Sequence, residues 1–140
     1  MKHVIVDAST ALAWCFPDEW TAESEGFLAA MGSYEILVPA VWALELTNAI
    51  AVAVSQKRIR APAIEGFQTL LGQLTIIQDA RTVQETISAV LALACEYNLT
   101  AYDAAYLELA LRYKAPLATL DSKLRKAATK AGARLFTAQP

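Results

Sequence analysis

The chain has 140 residues, of which 56% are hydrophobic, with a formal net charge of −2 and a mean hydropathy of +0.33. This length suits one compact domain over residues 1–140, and the high apolar content excludes an intrinsically disordered chain. The charge is unevenly distributed, because residues 1–56 carry a balance of −6 and residues 57–140 a balance of +4.

The cysteines and the single histidine exclude two kinds of site. Cys15 and Cys95 lie in apolar, helix-like stretches and are too few for a disulfide framework, so we expect both to be buried core residues in a reducing cytoplasm. His3 lies within the first apolar run, where we expect a core position rather than a metal ligand. A lone histidine in that position argues against a Ser–His–Asp triad, and zinc is disfavoured because its ligands are His and Cys.

The N-terminal half predicts two strands and three helices. The elements are a strand at 3–6, a helix capped by Ser9 or Thr10 and stopped by Pro17, a helix at 20–31, a strand at 35–38, and a helix from Pro39 to about 56. The window 36–54 has the length of a membrane span, but Pro39 interrupts it and Glu45 would cost about 2.5–3.5 kcal/mol in lipid. We therefore expect no membrane partner.

The C-terminal half continues the alternation of strands and helices. The elements are helices at 62–72, 82–97, 103–113 and 122–131, strands at 74–78, 117–120 and 134–136, a C-cap at Asn98, a helix end at Gly132, and an ambiguous segment at 99–102. Several strands are unbroken apolar runs, as in parallel sheets that are covered by helices on both faces. The pattern predicts an α/β fold with a parallel sheet.

Four acidic residues occupy notable positions in this pattern. Asp7 directly follows the first strand, and Asp121 directly follows the strand at 117–120. Asp103 opens a helix, and Glu45 lies among apolar neighbours in the helix after Pro39, where we expect it to be half buried. Ligands of open parallel sheets bind beyond the carboxyl ends of the strands, so Asp7 and Asp121 are expected at one edge.

Each acid also has a structural interpretation. An Asp that opens a helix is commonly an N-cap, which suits Asp103 and Asp121, and Asp7 with Ser9 suits a strand-to-helix turn. Glu45 is harder to explain in this way, because a buried carboxylate is costly unless it is paired or bound to a metal. Four clustered carboxylates stay ionised only around a cation, and all-oxygen ligation favours Mg²⁺, Mn²⁺ or Ca²⁺.

A carboxylate-bound magnesium ion suits phosphate chemistry, because it acidifies a water and steadies the leaving oxygen. Residues 122–140 contain five bases and no acid, and Lys123, Arg125 and Lys126 follow Asp121 closely. This segment is either a solvated basic helix or an edge that binds the phosphates of a substrate. The sequence alone leaves both open.

The motifs that carry these acids resemble those of a known family. VIVDAST near the start, AVWALELTNAI around Glu45, LTAYDAAYLELALRYKAPLATLD at 99–121 and a basic helix ending at Gly132 together resemble the PIN-domain toxins called VapC. The resemblance covers essentially the whole chain, and its most specific part is 99–121 with the Thr-x-Asp of Thr119 and Asp121.

The resemblance has definite implications. It implies a three-layer α/β/α sandwich with a mostly parallel sheet. It also implies a quartet of acids that holds one or two Mg²⁺ or Mn²⁺ ions, namely Asp7, Glu45, Asp103 and Asp121. Ser9 and Thr119 would support this quartet by hydrogen bonds. It implies endonucleolytic cleavage of structured RNA, which stops translation. It also implies a VapB-type antitoxin partner and a homodimer, which would cover part of the apolar surplus at 36–54 and 64–74.

Other classes with clustered acids fit less well. A phosphoacceptor domain needs an acidic pair after the first strand and a late Lys, whereas Asp7 stands alone. A haloacid-type phosphatase needs a second Asp where Ser9 stands, and a nucleotide-binding module needs a glycine-rich loop that DASTALA lacks. The remaining alternative is a catalytically silent interaction module with the same fold.

Overall fold

The computed structural model describes residues 2–138, so the ends of the domain predicted over 1–140 lie outside the described residues. The elements, in chain order, are β1 (Lys2–Val6), α1 (Ala8–Cys15), α2 (Ala22–Ala30), β2 (Tyr34–Val38), α3 (Trp42–Ser55), α4 (Ala61–Gly72), β3 (Thr75–Gln78), α5 (Val83–Tyr97), α6 (Ala101–Tyr113), β4 (Leu117–Ala118) and α7 (Ser122–Ala131). Short 3₁₀ turns at Pro17–Glu19 and Met31–Ser33 flank α2.

The four strands form one sheet in the order β3-β2-β1-β4. Every pair in that sheet is parallel, with Ile5 opposite both Leu37 and Leu117 and Ile36 opposite Ile76. Helices flank the sheet, as the predicted α/β/α sandwich requires, and the fold class is confirmed. The sheet is wholly parallel where a mostly parallel one was expected.

The C-terminal part of the sheet is shorter than predicted. The strand predicted at 117–120 ends at Ala118, and the strand predicted at 134–136 is reduced to one bridge between Leu117 and Leu135. The backbone amides of Leu120 and Asp121 donate to the side chains of Ser9 and Thr119 instead of to a neighbouring strand. Side-chain hydrogen bonds therefore end the strand early and bring 119–121 against β1.

Several helix starts differ from the prediction because other residues cap them. Asp7, not Ser9 or Thr10, caps α1, and the amide of Thr10 donates to its Oδ1 at 3.0 Å. Thr100 caps α6, which places Asp103 in the first turn and ends the ambiguity of 99–102. The helix α3 begins at Trp42 rather than at Pro39.

The core surrounds β1, whose Val4, Ile5 and Val6 are fully buried. Cys15 is buried as predicted, but Cys95 is exposed, because it lies on the solvent side of α5. His3 is half-buried rather than a core residue, since its Nε2 lies 3.0 Å from Oε1 of Glu35 near the surface. Within residues 2–138, no helix has the length and apolar character needed to cross a bilayer.

Two glycines provide a matched test of helix geometry. Gly132 ends α7 with φ at +84°, a conformation that strains any residue with a Cβ, whereas Gly66 lies in an exposed part of α4 with open space where a Cβ would project. Gly132→Ala is expected to lower the free energy of unfolding by about 1 kcal/mol. Gly66→Ala is expected to raise it by about 0.5–1 kcal/mol. Urea denaturation with unchanged m-values measures both, and stabilisation by Gly132→Ala would contradict the assignment.

Candidate acidic functional site

The carboxyl ends of the central strands bring two of the acids together. Val6 pairs with Ala118 at the end of β1 and β4, and the amide of Asp7 donates to the carbonyl of Ala118 at 3.2 Å. Asp121 follows three residues after β4 and caps α7, with its Oδ1 accepting from the amide of Lys123. The structure therefore places Asp7 and Asp121 at the same edge of the sheet.

Asp7 is held rigidly at this edge. Its side chain accepts from the hydroxyl of Ser9 at 2.8 Å, from the amide of Thr10 at 3.0 Å and from the hydroxyl of Thr119. It is 4% exposed. Burial raises the pKa of Asp7, and the hydrogen bonds from Thr119, Thr10 and Ser9 oppose that rise by stabilising the charged form.

Ser9 and Thr119 connect Asp7 to the segment that carries Asp121. Thr119 is buried, donates to Asp7 and accepts from the amide of Asp121 at 3.0 Å. The hydroxyl of Ser9 bonds Asp7 and accepts from the amide of Leu120 at 3.2 Å. These two hydroxyls fix the carboxylate of Asp7 relative to the turn after β4.

Glu45 lies in the first turn of α3 and is half-buried, as predicted. The hydroxyl of Tyr106, which is fully buried in α6, donates to its Oε1. Burial raises the pKa of Glu45, the hydrogen bond from Tyr106 lowers it, and the charges of Asp103 and Asp7 raise it further.

Sequence reasoning did not single out Tyr106 as a partner of the acids. A signal was available, because Tyr106 follows Asp103 by three residues, and residues at that spacing share a helix face. The motif LTAYDAAY therefore places an acid and a hydroxyl donor on one side of α6.

Asp103 completes the cluster. Burial raises its pKa, the negative charges of Asp121 and Asp7 raise it further, and the ammonium of Lys123 lowers it. Together with the effect of Asp103 and Asp7 on Glu45, these interactions connect all four acids electrostatically. The structure thus brings the four predicted residues to one region rather than scattering them over separate surfaces.

The oxygen atoms of the four acids suit a hard metal ion by their chemistry, but their present positions do not surround one. Carboxylate and hydroxyl oxygens are the ligands of hard cations such as Mg²⁺ and Mn²⁺. As the side chains lie, however, no group of three or more His, Cys, Asp or Glu between residues 2 and 138 is arranged to hold a metal ion. Hydrogen bonds from Thr119 and Tyr106 occupy oxygens of Asp7 and Glu45. The side chains would therefore have to shift before these oxygens could bind a metal ion.

The three basic residues of α7 have different surroundings. Lys123 and Lys126 are exposed. The Nε of Arg125 donates to the carbonyl of Thr119 at 2.8 Å, and its Nη2 lies 2.8 Å from Oε2 of Glu23. Arg125 is thus tied to the turn that carries Thr119, and of the two exposed lysines Lys123 acts electrostatically on Asp103.

The raised carboxyl pKa values predict how stability depends on pH. The folded chain retains protons on Asp7, Glu45 and Asp103 at pH values where the unfolded chain has released them. Stability without divalent ions should therefore fall as the pH rises from about 4 through the folded-state pKa values. For the buried Asp7 the slope has an upper limit of about 1.4 kcal/mol per pH unit.

Thermal unfolding in chelator across this pH range measures the effect. Asp7→Asn should flatten the dependence, because it removes the most deeply buried of the three carboxyls. A wild-type stability that rises between pH 4 and 7 would contradict the assigned directions.

Comparison with known proteins adds a family and a fold. A family model described as "PIN domain" matches residues 4–130, a range that contains all four acids. No curated protein sequence matches the chain significantly. Two solved structures are similar. PAE2754 from Pyrobaculum aerophilum has a TM-score of 0.69 and 23% identity, and the match covers 90% of this chain and 79% of that chain. FitAcB from Neisseria gonorrhoeae has a TM-score of 0.66 and 15% identity, and the match covers 96% of each chain. At these identities the likeness establishes the fold.

Proposed function

The chain belongs to the PIN-domain family, and on that premise we propose that it is a metal-dependent endoribonuclease, the toxin of a VapBC-type toxin–antitoxin pair. PIN domains are commonly nucleases and toxins of such pairs. The observation that carries the proposal is the hydrogen-bonded unit of Asp7, Thr119 and Asp121, whose charges act on Glu45 and Asp103.

The ion proposed for this site is Mg²⁺ or Mn²⁺, as one or two ions held by Asp7, Glu45, Asp103 and Asp121. Such an ion, when bound, supplies an acidified water and neutralises charge on the phosphate. The all-oxygen donor set supports a hard ion. Burial raises the pKa of Glu45 and Asp103, and repulsion from the neighbouring acids raises both further. That repulsion gives the site a reason to attract a cation.

The remaining contacts of the chain fit positioning roles. Tyr106 holds one oxygen of Glu45 and so orients the other. Arg125 fixes the carbonyl of Thr119, and Thr119 fixes Asp7. The exposed Lys123 and Lys126 are proposed to bind phosphates of the RNA, which would offset the acidity of the site.

An antitoxin and a second protomer are proposed as partners in the cytoplasm. Val83, Ile87 and Leu91 recur along one side of α5 and are 69%, 59% and 57% exposed. Leu44 and Val52 on α3 are also exposed, so part of the apolar surplus in 36–54 lies on the surface. Apolar surface of this kind is typical of protein interfaces.

An RNA cleavage assay tests the proposed activity. Purified protein is incubated with a broad RNA panel in Mg²⁺, Mn²⁺ or chelator, beside Glu45→Gln and the exposed control Glu65→Gln. We expect cleavage that requires the divalent ion, is lost in Glu45→Gln and is retained in Glu65→Gln. No cleavage of any RNA would favour the alternative, a PIN-fold interaction module without activity.

Thr119→Val tests the supporting hydrogen bonds. Valine has the shape of threonine, but it removes one of the hydrogen bonds that Asp7 accepts and leaves the amide of Asp121 without its side-chain acceptor. We expect about 10–100-fold slower RNA cleavage and about 1–3 kcal/mol lower stability. Thr129→Val, at an exposed threonine of α7, is the matched control and should change neither. Unimpaired cleavage by a folded Thr119→Val protein would remove the hydroxyl from the mechanism.

A further inference from the structure

A pocket of about 410 Å³ opens at the edge of the sheet where β1 and β2 begin, opposite to the edge that carries the acids. Its walls come from the starts of these strands, the end of α6 with the turn after it, and the segment after α7, and they include Lys2, His3, Tyr34, Tyr113, Lys114 and Arg134. We propose that this pocket is an anion site that binds phosphate groups, carried by a free nucleotide or by an RNA strand. The proposal does not depend on the proposed ribonuclease function.

Backbone pairing builds the pocket and separates it from the acidic site. Lys2 lies opposite Tyr34 where β1 and β2 begin. The amide of Leu117 donates to the carbonyl of Arg134 at 2.9 Å, which holds the segment after α7 against the start of β4. Lys2 and Asp7 lie at opposite ends of the extended strand β1, so their backbones are roughly 16 Å apart. A ligand in this pocket therefore occupies a site distinct from that of the acids.

Three bases converge on the pocket, namely Lys2, Lys114 and Arg134, and none of its walls within residues 2–138 is formed by Asp or Glu. This positive charge is local, because the whole chain carries −2 and Lys2 is the only Lys or Arg among residues 1–56. None of the three bases pairs with a carboxylate of the described residues, whereas four other arginines do, namely Arg58, Arg81, Arg112 and Arg125. An anionic ligand would supply the missing negative charge.

The polar groups of the walls are hydrogen-bond donors. Glu35 follows Tyr34 in β2, but its Oε1 lies 3.0 Å from Nε2 of His3 and so serves that ring. The ring of His3 in turn packs edge-on with Tyr113, with centroids 5.7 Å apart. The hydroxyls of Tyr34 and Tyr113 can donate beside the ammonium and guanidinium groups. Hydrogen bonds from charged donors to phosphate oxygens are about twice as strong as neutral ones, so this set of donors suits phosphate.

A purely structural role would be to complement the carboxyl end of α6. Lys114 is the C-cap of that helix, and Nη2 of Arg134 donates to its carbonyl at 3.1 Å. The dipole of a helix places only about half a negative charge at this end. Three bases therefore exceed what the helix needs, and Lys2 belongs to β1 rather than to the helix. The surplus of positive charge favours an anion that carries more than one charge, as phosphate groups do.

Ligand titration tests the pocket without requiring catalysis. The full chain, freed of divalent ions by dialysis, is titrated with ATP, pyrophosphate and adenosine at low salt, and backbone amide shifts are followed by NMR. We expect ATP and pyrophosphate to shift the amides of Lys2, Tyr34 and Lys114, and to bind more weakly as salt is added. Adenosine should bind at least about tenfold more weakly, because it has no phosphate for the charged donors. Equal binding of adenosine and ATP, or shifts confined to the amides around Asp7 and Asp103, would overturn the proposal.

Lys114→Gly removes one base without straining the backbone. Lys114 has φ at +52°, a conformation that glycine adopts readily, so the variant should fold at least as stably as wild type. Lys57→Gly is the matched control, because Lys57 is also exposed and has φ at +57°. We expect Lys114→Gly to weaken pyrophosphate binding at least about tenfold and Lys57→Gly to leave it unchanged. Unchanged binding by the folded Lys114→Gly protein would overturn the proposal.

Arg134→Gln tests the second base and the structural alternative together. Glutamine removes the charge but keeps an amide donor for the carbonyl of Lys114. The control is Arg60→Gln, at an exposed arginine before α4. We expect pyrophosphate binding at least about tenfold weaker in Arg134→Gln and unchanged in Arg60→Gln. If Arg134→Gln lowers thermal stability but binds pyrophosphate as wild type does, the bases serve only the end of α6 and the proposal is overturned.

An RNA titration identifies the carrier of the phosphate. A single-stranded hexanucleotide with an unphosphorylated end presents only backbone phosphates, whereas ATP presents a terminal chain of phosphates. Binding of the hexanucleotide that shifts the amide of Lys114 and weakens in Lys114→Gly supports the pocket as a contact for an RNA strand. Binding of ATP alone, with the same loss in the variant, supports it as a site for a free nucleotide. If neither ATP nor the hexanucleotide shifts the amides of the pocket, the proposal is overturned.

Discussion

Asp7→Asn is expected to reduce RNA cleavage by more than about 100-fold while the chain remains folded. Loss of a group that supports a metal ligand already costs about 10–100-fold, and Asp7 is proposed as a ligand itself. Asparagine has nearly the same shape and keeps an oxygen for the amide of Thr10 and the hydroxyl of Ser9. It removes a charge whose burial opposes folding, so metal-free stability should be equal or slightly higher.

The measurement combines single-turnover cleavage with thermal unfolding in chelator. Asp18→Asn is the control, because Asp18 lies on the surface and its partner Arg58 also contacts Glu19. The control should cleave at the wild-type rate. A large loss of thermal stability in Asp7→Asn, with activity lost in proportion to unfolding, would make Asp7 a structural residue instead.

The elements of the fold that sequence could predict are those with strong local signals. The helix α7 was predicted with the bounds that the structure has, because Asp121 is a good N-cap and Gly132 a good C-terminal residue. Asn98 ends α5 in the left-handed conformation, as predicted. Where the signal depended on tertiary contacts, as in the strand at 117–120, the prediction was too long.

The candidate site shows the same division between local and long-range information. The positions of Asp7 and Asp121 follow from the carboxyl ends of parallel strands, a rule that sequence alone can apply. The bond between Tyr106 and Glu45 joins residues 61 positions apart, so only the folded chain reveals it. The bonds of Arg125, a candidate for phosphate binding in the sequence, to Thr119 and Glu23 are likewise visible only in the folded chain.

The exposure of Cys95 illustrates the limit of composition as evidence. Cysteine is among the most frequently buried residues, and the stretch around Cys95 is apolar. Yet α5 presents an apolar surface to solvent as well as to the core, with Val90 buried and Leu91 exposed. Hydrophobicity in the sequence therefore predicts which residues are buried. It does not indicate whether they are buried within this chain or against another molecule.

Addition of Mg²⁺ is expected to stabilise the wild-type chain strongly and to be essential for cleavage. A ligand that binds only the folded state adds about 2.7 kcal/mol at 100 times its dissociation constant. For a domain of this size that corresponds to a rise in Tm of roughly 5–10 °C. Removal of the ion by chelator should abolish RNA cleavage, and renewed Mg²⁺ or Mn²⁺ should restore it.

The pH dependence of this stabilisation makes the prediction specific. Carboxylates bind a metal only when deprotonated, so the gain from Mg²⁺ should grow as the pH rises from about 4 to 7. Over the same range the metal-free chain should lose stability, because the carboxyl pKa values of Asp7, Glu45 and Asp103 are raised. Sodium chloride at equal ionic strength controls for screening, and Glu65→Gln should respond to Mg²⁺ as wild type does while Glu45→Gln does not. If Mg²⁺ leaves the Tm unchanged at every pH and RNA is still cleaved in the presence of chelator, the acids do not form a metal site. Protonation alone would then relieve the repulsion among these carboxylates.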